Sequence, residues 1–181
     1  HMNRTDDCTI ESGPIDAVIS TVHMVKPNTP RFGVANGSDP LMVLKPAFGN
    51  IAIRQNVVYA NVINTITVSF AANFDLAPLS TITVQGLTGT QTVDGNMAIT
   101  SNGSSALGLS GVWQQFPGQL ELSVPTAAIA LSNTIYVITF NVTNPLMDQK
   151  SPSIEIGARI DDGTGMHVAS IPLTSMVKPH M

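Results

Sequence analysis

Turns dense in oxygen donors are the first places in this sequence where chemistry could reside. Asp161-Asp162-Gly163 and Asp94-Gly95-Asn96 set carboxylates beside a glycine, and Ca2+ takes about six to eight oxygens from such loops. No complete Asp-x-Asp-x-Asp-Gly loop accompanies them. Plain β-turns, using Asp-Gly for its backbone preference, are the simpler reading. The expectation is therefore no cofactor, with Asp94, Asp161 and Asp162 as the positions where Ca2+ would be sought. Trp113 is the single tryptophan. An exposed Trp113 would stack on a sugar ring; a Trp113 packed between two sheets is the plainer alternative. Tyr59 and Tyr136 are the other platforms, and Tyr136 shares its strand face with Ile138 and Phe140.

Catalytic patterns are harder to find. Nucleophilic catalysis needs a nucleophile, a base and an orienting group brought together. There is no Gly-x-Ser-x-Gly, and the only cysteine, Cys8, lies in a polar tail. Of the four histidines, only His23 and His167 fall inside the expected domain, neither with zinc-ligand spacing. Glu121 and Glu155 could pair across a cleft, as glycoside hydrolysis requires, but each sits on the polar side of an alternating strand. The chain is expected not to be an enzyme. Asn3, Asn36, Asn102 and Asn141 each begin an Asn-x-Ser/Thr sequon. Asn36 and Asn102, in turns, are the expected glycosylation acceptors.

Bulk composition bounds the rest. The chain has 181 residues, 43% hydrophobic and only 11% charged, where about a quarter charged is usual. Its surface must be built from Thr, Ser, Asn, Gln and Gly. Eight basic residues without a cluster, at net charge −4, exclude a nucleic-acid-binding face, which needs several phosphate-neutralising cations together. One cysteine excludes an internal disulfide. No apolar run approaches the ~20 residues of a membrane-spanning helix.

These side chains must be positioned by strands. Ile51 and Ile53; Ile66, Val68 and Phe70; Ile82 and Val84; Leu120, Leu122 and Val124; Tyr136, Ile138, Phe140 and Val142; and Ile154, Ile156, Ala158 and Ile160 all recur with period two. A last strand is predicted near His167–Ile171. Asn73, Pro78, Gly86, Gly89, Pro117-Gly118 and Asn144-Pro145 punctuate them. Residues 26–50, rich in Pro and Gly, form a turn-laden lead-in with a short strand at 41–44. Thr126–Leu131 could make one helical turn. The sum is an all-β, immunoglobulin-like antiparallel β-sandwich of about seven to ten strands.

One stretch occurs twice. Ala17, Ile19 and Met24-Val25-Lys26-Pro27 return as Ala169, Ile171 and Met176-Val177-Lys178-Pro179, at a constant offset of 152 residues (176 − 24). Self-similarity at a fixed period marks an array. The expected organisation is a cloning remnant and flexible arm at 1–16, a single β-sandwich module at 17–175, and the start of the next repeat or a linker at 176–181.

Three stretches carry a resemblance: Ile66–Phe70 with Leu76–Gly89; Gly111-Val112-Trp113 with Gly118–Val124; and Tyr136–Pro145 with Gln149 and Ser151-Pro152. Together they resemble the tandem immunoglobulin-like repeat modules of very large secreted or surface proteins of unicellular algae and other protists. The resemblance spans about residues 50–179. It implies a structural or adhesive module, extracellular or at the cell surface, whose partners are neighbouring repeats, glycans or copies of itself. It brings no family site residues. The rival reading is a carbohydrate-binding module, calcium-assisted at the acidic turns.

Overall fold

A computed structural model describes residues 22–102 and 105–176. Among the described residues ten strands form in chain order: β1 (Phe48–Gln55), β2 (Ile63–Ala72), β3 (Thr81–Gln85), β4 (Gly95–Ala98), β5 (Thr100–Ser101), β6 (Ser110–Gln114), β7 (Gln119–Ser123), β8 (Tyr136–Thr143), β9 (Glu155–Asp161) and β10 (His167–Ser175). They build two antiparallel sheets, ordered β1-β2-β8-β5 and β10-β9-β3-β7-β6-β4. The chain is an antiparallel β-sandwich, as its alternation predicts. Among the described residues no helix is long and apolar enough to cross a membrane.

The period-two pattern sets which side chains meet. In the smaller sheet Ile66 pairs with Phe140, Val68 with Ile138 and Phe70 with Tyr136. In the larger, Ile82 lies between Leu122 and Ala158, and Val84 between Leu120 and Ile156. All are buried, so the two inner faces close on one shared core. A one-residue slip would turn every one of them to solvent, which is why the register is firmly specified. Phe70 also stacks edge-on against Phe48, with ring centroids 5.3 Å apart.

Some local expectations are corrected. Residues 41–44 form no strand: Leu41 takes a left-handed φ of 61°, and the segment is exposed coil. Thr126–Leu131 is not helical. Ala128 donates to the Pro125 carbonyl in a turn, and Ala130 exchanges both backbone bonds with Leu76. The helical turn that does form is a 3-10 turn at Ser105–Leu107. β10 runs on past Ile171 to Ser175. It accommodates Pro172, which lacks a donor, because it is an edge strand whose register shifts between Ile171 and Thr174.

Gly86 ends β3 at φ 94°, and a Cβ there would collide with the Ser153 carbonyl. Both the conformation and the space demand glycine. Gly86→Ala is expected to destabilise the domain by more than about 1 kcal/mol, read as a lower urea midpoint. An unchanged midpoint would contradict this close approach.

Candidate functional site

Trp113 lies on β6, facing inward between Gly95 of β4 and Leu120 of β7. It is 1% exposed, and its indole N–H donates to the Thr92 carbonyl at 2.9 Å. A sugar can stack only on an open ring face, so the structure withdraws Trp113 as a platform. The indole instead pins the irregular crossing from β3 to β4. Gln115 also holds that crossing, through the Thr90 carbonyl, and Thr143 does so through the Thr92 hydroxyl.

The three acidic positions do not converge. Asp94 precedes β4 at one edge of the larger sheet, whereas Asp161 and Asp162 lie at the end of β9, with β3, β7 and β6 between. Asp94 Oδ1 accepts from the Gln115 N–H at 2.6 Å. Asp162 Oδ1 accepts from the Thr164 N–H at 2.8 Å and its hydroxyl at 2.6 Å. Asp161 is 2% exposed. Its Oδ2 stands 3.7 Å from Arg159 Nε, and its Oδ1 has no hydrogen-bond partner among the described residues. No set of three or more His, Cys, Asp or Glu side chains gathers as a metal site among the described residues. Asp162 is engaged within its own turn by Thr164, whereas Asp94 reaches across to the Gln115 N–H at the end of β6.

The Asp162 carboxyl is held below its ordinary 3.8, first by the Thr164 hydroxyl and then by the Thr164 N–H. A depressed carboxyl supports folding fully above its unfolded value, and that support is lost as pH falls through the lower folded value. The β9–β10 turn is therefore expected to stay ordered at neutral pH and to loosen only below about pH 3.8. Thr164→Ala should move the Asp162 titration, followed by carboxyl NMR shifts, back upward; no movement would show that the turn does not hold the charge.

Glu121 and Glu155 both face outward on the larger sheet, on β7 and β9 with β3 between them. That spacing is about 10 Å laterally, on an open face. Gln85 donates to Glu155 at 3.2 Å. His167 contacts the Ser170 hydroxyl at 3.3 Å on exposed β10. Asn36 is exposed at a left-handed turn. Asn102 is exposed too, but its amide is engaged: Oδ1 accepts from the Val137 N–H at 3.1 Å and Nδ2 donates to the Ile135 carbonyl at 3.4 Å. Asn141 lies on β8 and accepts from the Thr65 hydroxyl. Residues 1–21, Asn3 and Cys8 among them, lie outside the described residues, as do residues 177–181.

Two surfaces remain that could receive a partner. At one end of the sandwich, Asn64 of β2 is 1% exposed. Its Oδ1 accepts from the backbone N–H groups of Asn56 (3.2 Å) and Val57 (3.1 Å). Its Nδ2 donates to Gln55 Oε1 (3.0 Å) and Asn144 Oδ1 (2.8 Å). Asn144 in turn donates to the carbonyls of Tyr59 and Val57. This network fixes the β1–β2 loop and holds Tyr59 outward, 73% exposed, with Val58 and Ile63 in solvent beside it. Asn64 keeps the inward parity of Ile66, Val68 and Phe70. A buried amide in an apolar row was the legible signal, and the sequence reading passed over it.

The second surface is a groove of about 280 Å3 between residues 31–46 and the β9–β10 edge. Phe32, Met42, Leu44 and Val168 line it and remain partly exposed. Arg31 and Asp75 also line it. The loop is docked by the Asp75 N–H, which donates to the Phe32 carbonyl at 2.8 Å, and Asp75 Oδ1 accepts from the Ser132 N–H.

The fold and its surfaces define the class as an antiparallel β-sandwich. No protein-family model and no curated protein sequence matches the chain. Among solved structures it is similar to the collagen-binding domain from a Staphylococcus aureus adhesin. The two share 13% identity over 67% of this chain and 93% of that one, at a TM-score of 0.36.

Proposed function

We propose that this chain is a non-enzymatic structural and adhesive repeat module of a large extracellular or cell-surface protein. The observation that carries this reading is the groove beside β9 and β10. Partly exposed apolar walls on a charge-poor sandwich suit contact with another macromolecule, because burying them on contact is favourable. The partners are neighbouring repeats of the same chain and copies of the module. Asn36 and Asn102 are the glycosylation acceptors; at Asn102 the glycan would take one of the two Nδ2 hydrogens and leave the other as a donor. The test is a force-probe measurement between two surfaces coated with the protein. Adhesion probability should fall about tenfold for Leu44→Asp with Val168→Asp, as expected if about 1.4 kcal/mol of contact is lost. Equal adhesion by parent and variant would overturn the reading.

A second reading is favoured by Tyr59. Its exposed ring offers an apolar face with a polar tip on a loop that Asn64 and Asn144 hold in place, so the carbohydrate-binding alternative rests on Tyr59 rather than Trp113. Tyr59→Ala should abolish binding to any polysaccharide film that retains the parent protein. Chelation with EDTA asks whether Ca2+ assists. Retention unaffected by Tyr59→Ala removes the reading.

A further inference from the structure

The echo at the two ends acquires a phase once β10 is seen. Between His167 and Met176, three positions are shielded from solvent: Ala169 in part, Ile171 and Met176 almost wholly. These are the three positions at which the earlier stretch, 152 residues upstream (176 − 24), carries the same residue: Ala17, Ile19 and Met24. The seven exposed positions between 167 and 175 all differ from their counterparts. Identity thus follows burial position by position, as it does when two segments occupy the same place in a fold. The match continues into the turn before β10. Gly165 adopts φ 96°, a conformation that favours glycine, and its counterpart is Gly13.

The two copies differ in surroundings. Met176 is 6% exposed, and its N–H donates to the Ile154 carbonyl at 2.8 Å. Met24 is 93% exposed, with Val22 and Val25 beside it in solvent and outside any strand. From Lys26 the chain joins this module: Lys26 Nζ stands 3.8 Å from Asp39 Oδ2, the Asn28 N–H donates to Asp39 Oδ1 at 2.9 Å, and the Ser38 N–H to the Thr29 carbonyl.

We propose that Ala17–Pro27 is the terminal strand of a preceding copy of the module, and that its partner is that copy's β9 edge. The module built here then starts at Asn28 and closes with β10 and Met176, so that Met176–Pro179 is the end of a repeat and not the start of the next. Met24, 93% exposed here, is the position that the sheet edge of the preceding copy would bury, as Met176 is buried in this one. Adjacent modules would be joined directly, with the terminal strand of one leading into the 28–46 segment that walls the groove of the next. This rests on the repeat reading above.

The deciding experiment exchanges strands within the full chain. In one variant the residues of Ala17–Pro27 replace Ala169–Pro179; in a control the same eleven residues replace them in an order that moves Ile and Met to exposed positions. The chimera should melt cooperatively within about 5 °C of the parent, while the shuffled control should fall by more than about 10 °C. Equal stability of chimera and control, high or low, overturns the assignment. A second variant lacking residues 1–27 should keep its melting temperature within about 2 °C. A large loss there would mean that the segment belongs to this module, and would also overturn it. Neither readout involves adhesion, so failure of the adhesive reading would be seen separately.

Discussion

Trp113→Ala is expected to lower stability by about 3–5 kcal/mol, the range for emptying a large aromatic site in a core. Domains of this kind hold only about 5–15 kcal/mol in total, so the variant should be largely unfolded on mild heating. Two losses add. The cavity would open between the sheets beside Leu120, and the Thr92 carbonyl would lose its indole donor. Trp113→Phe separates them: it retains most of the volume and gives up the hydrogen bond, with an expected loss nearer to about 1–2 kcal/mol. Urea unfolding of the three proteins measures both steps. In the parent, Trp113 emission should be blue-shifted, poorly quenched by acrylamide and indifferent to sugars. Red-shifted emission from the folded protein would place the ring in water and overturn the assignment.

Asn64→Ala is the second large effect, expected at about 2–3 kcal/mol. Four hydrogen bonds converge on this buried amide. Truncation leaves the Val57 N–H and the Gln55 and Asn144 side chains without it, and an unmatched buried polar group costs about 1–3 kcal/mol. Asn64→Asp tests direction as well as size. It keeps the acceptor facing Asn56 and Val57 but sets a carboxylate against the oxygens of Gln55 and Asn144, so it should also destabilise. Hydrogen exchange at Val57 should quicken in both variants. The loop carrying Tyr59 would loosen with it, and any polysaccharide retention that depends on Tyr59 should decline even where the rest of the domain stays folded. Unchanged exchange at Val57 would show that the loop holds itself without Asn64.

Much of the architecture was readable from alternation alone. Ile66-Val68-Phe70 and Tyr136-Ile138-Phe140 announced central strands because a strand with one buried face must repeat its apolar side chains every second residue. β4 and β5 were not legible, since strands of four and two residues offer no period to detect. The segment at 41–44 reads as a strand by composition, yet Leu41 turns left-handed and no strand among the described residues pairs with it. Thr126–Leu131 lacks strand alternation, but its Leu76 bridge overrides its weak helical tendency.

The candidate sites divide along the same line. Residue types determined that the chain is an all-β protein with a charge-poor surface, no internal disulfide and no basic face, because those properties depend on counts and on periodicity along the chain. Tertiary structure decided where the chemistry-bearing residues went. It buried Trp113, tied Asp162 into its own turn and Asp94 to the end of β6, left Glu121 and Glu155 on an open sheet face, and raised Tyr59 on a loop held by Asn64. Each outcome depends on residues far apart in the chain meeting across strands, such as Asn64 with Asn144 or Trp113 with Thr92. Such meetings follow from register and sheet order, which no local spacing encodes.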